Sequence, residues 1–130
     1  MSITNDNKFS DSPNLEDLRN SMQNFADERD WEQYHTPRNL MLAMVGEVGE
    51  LSEIFQWTGE VTSEQVKNWD EKKRQHLGEE MSDVLLYLIR LADKCGIDLP
   101  AAASRKIIKN GEKYPATKAF GKSDKYTSYE

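Results

Sequence analysis

"LMLAMVGEVGELSEIFQW", residues 40–57, reads as one long helix that carries three glutamates among its apolar residues. Leu40, Met44, Val48, Leu51 and Phe55 recur at helical spacing and define a stripe that faces a core. At about 100° per residue, Glu47 falls roughly 60° from the centre of that stripe, Glu50 roughly 120°, and Glu53 roughly opposite it. Glu47 therefore borders buried surface, whereas Glu53 reads as solvent-facing. Glu50 shares its flank with Ala43, Ile54 and Trp57, so that side is not simply polar. Gly46 and Gly49 sit beside these acids. Each costs a helix interior about 1 kcal/mol relative to alanine, which predicts that a ligand or a neighbouring helix approaches the backbone there.

The punctuation around this segment is helical on both sides. Thr36-Pro37 supplies a cap and a first-turn proline, and Gly59 stops the helix. Upstream, Ser12-Pro13 gives the same opening signal, followed by Leu15, Leu18, Met22 and Phe25 at helical spacing. "DWEQYH", residues 30–35, reads as an aromatic-rich bend. Downstream, "TSEQVKNWD" reads as a turn or brief helix, a long helix runs from about Glu71 to Lys94 and ends at Gly96, and "DLP" opens a last helix over 99–110, closed by Asn110-Gly111. No convincing strand pattern appears. The expectation is an all-α, four-helix bundle over residues 12–115, with a disordered segment at 1–11 and an extended tail at 116–130.

The long helix repeats the acidic pattern. Leu77, Met81, Val84, Leu88, Leu91 and Cys95 form its main stripe, with Glu79 pointing away and Glu80 at the edge, about 70° from the centre. Asp83 and Tyr87 follow Glu80 along one flank. Leu86 and Ile89 make a second apolar patch on the far side, which predicts a partner subunit. Two carboxylate pairs, E-x-x-E and E-x-x-D, thus lie on helices that a bundle sets face to face. Four clustered carboxylates repel one another unless a cation sits among them. Oxygen donors without histidine or thiolate select Mg²⁺, with Mn²⁺ as a substitute, over zinc. Di-iron bundles want E-x-x-H pairs, and His35 and His76 occupy no such position.

Composition narrows the function classes. The chain has 130 residues, 37% hydrophobic and 31% charged, so it forms one domain with a modest core for which oligomerisation is favourable. Its net charge of −6 and pI near 5.0 argue against nonspecific nucleic-acid binding. No run of 18 apolar residues and no signal-peptide pattern is present, so no membrane association is expected. The lone Cys95 fits a reducing cytoplasm and reads as a core or interface residue.

Taken together, Glu47-x-x-Glu50 followed by Glu80-x-x-Asp83 resembles the metal signature of the MazG-like all-α nucleoside triphosphate pyrophosphatases. "FADERDWEQYHTPRNLMLAMVGEVGELSEIFQW", "EEMSDVLLYLIRLADKCGIDLPAA" and "KYT" extend the likeness to the deoxycytidine triphosphate branch, over roughly residues 15–127. The resemblance implies hydrolysis of a deoxynucleoside triphosphate, dCTP or a modified dCTP, to the monophosphate and pyrophosphate, a house-cleaning of the nucleotide pool. It implies that Glu47, Glu50, Glu80 and Asp83 hold Mg²⁺ against the triphosphate, with Glu47 or Glu50 activating the water. Trp31 and Trp57 match the aromatic pair lining the base and sugar pocket, although both also read as core fillers. His35 matches a histidine near the pocket, or serves as a hydrogen-bonding group at the helix start. Tyr87 falls near the phosphates or sugar, and Lys106 and Asn110 match positions that meet phosphate and base. The branch assembles as dimers or as tetramers of paired dimers. Two alternatives stay open: the same reaction on dUTP or another non-standard nucleotide, and a non-enzymatic helical interaction module whose acids are merely solvated.

Overall fold

The computed structural model describes residues 8–123 and 125–129, so residues 1–7 of the expected N-terminal disordered segment lie outside the described residues. The described residues are helical and contain no strand. In chain order they form α1 (Leu15–Glu28), the 3-10 turn η1 (Glu32–Tyr34), α2 (Pro37–Gln56), α3 (Ser63–Lys67), α4 (Glu71–Lys94), α5 (Leu99–Lys113), α6 (Ala116–Ala119) and a second 3-10 turn, η2 (Tyr126–Tyr129). They group into two units, Met1–Gly96 and Ile97–Glu130.

Local chemistry explains the boundaries. α2 opens as expected: the Thr36 side chain accepts the Asn39 N–H at 3.3 Å and Pro37 occupies the first turn. α1 starts two residues later than Ser12-Pro13 suggests, because Asn14 and Asp17 form a reciprocal capping box. α5 continues through Gly111 to Lys113, ending before Pro115, which disfavours helix at the residue preceding it. The glycines that stop α2 and α4, Gly59 and Gly96, both have positive φ, 69° and 66°. The segment after Pro115 is not simply extended, since α6 and η2 add short helical turns.

In the first unit α2 and α1 both pack on α4. Ala26, Leu40, Leu77, Ile89 and Ala92 are buried there. The apolar faces of α4 are thus distributed differently from the periodicity reading. Ile89 belongs to the unit's own core, while Met81 and Leu88 of the expected core stripe are 49% and 37% exposed. Cys95 is exposed as well. On α2, Val48 is likewise 44% exposed although Leu40 is buried. Nothing lies within 4 Å of a Cβ built at Gly46 or Gly49, so the close neighbour expected there does not come from the described residues. Trp69 is a packing residue: its ring lies 5.7 Å from that of Phe55, and the Lys73 ammonium sits 3.9 Å from its centroid.

Charged groups tie η1 to α4. The Arg90 guanidinium, wholly buried, donates to Glu32 at 2.6 Å, to Gln23 at 2.7 Å and to His35 Nδ1 at 3.0 Å. Lys94 also donates to Glu32, and Arg19 reaches Asp93 at 3.1 Å. The hydrogen bonds from Lys94, then Gln23 and Arg90, pull the Glu32 carboxyl down to about 2. Its folded-state value lies below its unfolded one, so the stabilisation is complete above the ordinary carboxylate range and is lost as pH falls towards about 2. Glu32→Gln should therefore flatten the acid limb of a plot of thermal midpoint against pH between about 5 and 2, while leaving the limb above 6 parallel to wild type. An acid limb as steep as wild type in the variant would count against this ion-pair tie.

Candidate active site

Three acids converge between the two longest helices. Glu80 and Asp83, three residues apart, share one face of α4, and the packing of α2 on α4 brings Glu47 to them. One carboxylate oxygen from each of the three lies within 4.8 Å of the others. Burial first, then the charges of Asp83, Glu80 and Glu50, push the Glu47 carboxyl above its usual range. His76 Nδ1 stands 3.8 Å from Glu80. Glu50, one turn further along α2, is exposed and does not belong to the converging trio. Glu53 and Glu79 face solvent, as the helical wheel predicts.

The trio suits a hard divalent cation. All three donors are carboxylate oxygens, with neither nitrogen nor sulfur among them, and they are held close enough for one ion to bridge. Burial raises Glu47 most, and the repulsion from Asp83, Glu80 and Glu50 that adds to it is what a cation would relieve.

Beside the acids lies a cavity of about 390 Å³, lined by Met22 and Phe25 from α1, Trp31 and His35 from the bend, and Asp83, Leu86 and Tyr87 from α4. Trp31 stands edge-on to Phe25 at 5.7 Å and to His35 at 6.1 Å. Burial and the Arg90 charge hold the His35 imidazole below its ordinary value. Asp83 belongs both to the acidic trio and to the cavity wall. A ligand with an aromatic head in the cavity would thus place its next atoms against the acids.

Of the other expected site residues, Tyr87 and Trp31 line this cavity, while Trp57 caps the end of α2, is 84% exposed and lines no part of it. Lys106 and Asn110 lie one turn apart on α5, within the second unit. The charge of Lys113, together with its hydrogen bond, burial and Lys109, lowers the proton affinity of Lys106. Such a cluster of ammonium groups is suited to a polyanion. Periodicity did not single out Met22, Phe25 or Leu86 as cavity wall. Met22 and Phe25 are spaced as core residues of α1, and Leu86 reads as part of a partner-facing patch. Only the packing of α1 on α4 shows that all three turn inward to one hollow.

The comparisons converge on one family. A model described as the MazG-like family matches residues 43–128. The dCTP pyrophosphatase 1 of Mus musculus is 51% identical over 120 residues, which cover 92% of this chain and 70% of that protein. The dCTP pyrophosphatase 1 of Homo sapiens is 52% identical over 121 residues, covering 92% and 69%. Among solved structures, a pyrophosphatase from Archaeoglobus fulgidus superposes with a TM-score of 0.68 at 39% identity, covering 83% of this chain and 99% of that one.

Proposed function

This chain belongs to the MazG-like family, and from that membership we propose that it hydrolyses dCTP to dCMP and pyrophosphate. The observation that carries the reading is Asp83, shared by the acidic trio and the aromatic cavity. It puts the chemistry of phosphate charge next to a space of nucleoside size. Relatives about half identical over nearly the whole chain are named for the same reaction.

The family implies a divalent metal, and we assign it as Mg²⁺, with Mn²⁺ as a substitute, held by Glu47, Glu80 and Asp83. Through the family likeness we add Glu50, exposed one turn away on α2, to these three. When bound, the cation neutralises the triphosphate and stabilises the departing pyrophosphate. The chain's own groups do the rest. Glu47 or Glu50 orients the water and accepts its proton as the water oxygen bonds to the α-phosphorus and the bond to the bridging oxygen breaks. Trp31 offers a face for the base, Tyr87 approaches the sugar or phosphates, and Trp57, Lys106 and Asn110 are assigned to base and phosphate through the family likeness. Met41, Val45 and Val48 on α2, and Met81, Leu85 and Leu88 on α4, are exposed apolar residues at i, i+4, i+7 spacing. We assign them to the contact between copies in a dimer or a dimer of dimers.

Base stacking on an aromatic side chain is worth about 1–3 kcal/mol, so Trp31→Ala should raise KM for dCTP between about 5- and 150-fold with a smaller change in kcat. An unchanged KM would place the base elsewhere. Pyrophosphate release across a nucleotide panel with Mg²⁺ tests the substrate: the highest kcat/KM is expected for dCTP. A higher value for dUTP would change the substrate, and silence across the panel would remove the enzyme.

A further inference from the structure

Arg90 takes no part in the reaction just described, yet it is the largest wholly buried side chain and touches a residue of the cavity wall. We propose that Arg90 is a positioning residue that fixes His35 as a neutral imidazole with its proton on Nε2, so that the ring offers the cavity a hydrogen-bond donor and no acceptor.

The tautomer follows from donor chemistry. An arginine side chain has five N–H donors, no acceptor, and no accessible neutral form. Arg90 Nε lies 3.0 Å from His35 Nδ1, a hydrogen bond only if Nδ1 carries no proton. A neutral ring then holds its hydrogen on Nε2. Nε2 meets no hydrogen-bond partner among the described residues, and the ring lines the cavity.

The guanidinium is not free to turn away. Its Nη1 donates to Gln23 Oε1 at 2.7 Å and to Asp93 at 3.4 Å, and its Nη2 donates to Glu32 at 2.6 Å. Partners from α1, η1 and α4 thus fix the plane, and the plane fixes the direction of Nε. Tying these three elements together needs only the two Nη groups. The third donor, Nε, is spent on the imidazole. The charges near the ring agree: Arg90 and Lys94 oppose an imidazolium, Glu32 alone favours it, and burial opposes it most. The chemical class that matches such a ring is an acceptor on the pyrimidine edge, N3 or O2 of cytosine. This last step rests on the reading of the cavity as a dCTP site.

The test begins on wild-type protein without nucleotide. The chain has two histidines, so a long-range ¹H–¹⁵N correlation of histidine-labelled protein, assigned with H76Q, resolves His35. A protonated Nε2 and an unprotonated Nδ1 are expected. A proton on Nδ1, or an average of both tautomers, overturns the proposal without any Arg90 variant having to fold. The second arm is a double-mutant cycle. R90K should mix the tautomers and raise KM for dCTP about tenfold, the worth of one hydrogen bond, with a much smaller change in kcat. In an H35F background R90K should raise KM no further. An equal rise in both backgrounds would mean that Arg90 acts by packing and not through His35. Absence of dCTP turnover in the wild type would fall on the functional reading, since the tautomer is measured without nucleotide.

Discussion

Asp83→Asn should lower kcat/KM for dCTP by about 10³-fold while leaving the helical circular dichroism unchanged. Metal-borne charge stabilisation is worth several kcal/mol in a transition state, and each ~1.4 kcal/mol is a factor of ten. Asp83 is exposed on α4, and its side chain has no hydrogen-bond partner among the described residues, so exchanging its carboxylate for a carboxamide removes charge without opening the fold. Its oxygen stands within 4.8 Å of donor atoms of Glu47 and Glu80, and its side chain forms part of the cavity wall. A loss of that size with intact structure marks a group acting on the reacting atoms. Steady-state kinetics decides the matter: a fall of less than about tenfold would remove Asp83 from the metal set, and with it the link between cavity and acids.

The second large effect concerns stability. Leu40, 1% exposed in the first turn of α2, anchors the helix that carries Glu47. Leu40→Ala should cost about 2–5 kcal/mol, from lost burial and the cavity left behind. A domain of this size has roughly 5–15 kcal/mol in total. The denaturation midpoint in urea should therefore fall markedly with an unchanged slope. A cost below about 1 kcal/mol would show that α2 is held elsewhere. Activity per folded molecule should be retained, because Leu40 is neither one of the trio nor one of the residues lining the cavity.

Much of this was legible in the sequence because the signals are local. Thr36-Pro37, Gly59 and Gly96 mark helix ends through cap chemistry and positive φ, and both act without the rest of the fold. The border position of Glu47 and the pairing of Glu80 with Asp83 are consequences of helical pitch, and the structure brings these three together. What stayed hidden depends on choices between equivalent faces. α4 is apolar on more than one side, and periodicity does not say which side meets its own core. Helical spacing puts Ile89 and Leu86 on an outer patch, yet they turn inward, whereas it puts Met81 and Leu88 on the core stripe, and they face out. Arg90 was invisible for a related reason. A charged residue in a long helix reads as solvated surface until Gln23, Glu32 and His35, remote in sequence, are placed around it. The reach of α5 past Gly111 shows the reverse, a local stop signal overridden with the chain ending its helix only before Pro115.

The most direct measurement is a crystal structure of the protein soaked with Mg²⁺ and a nonhydrolysable dCTP analogue. Density is expected for a divalent ion ligated by Glu47, Glu80 and Asp83 and touching the phosphates, with the cytosine beside Trp31 and His35. An ion bound away from all three carboxylates, or a base seated outside that hollow, would contradict it.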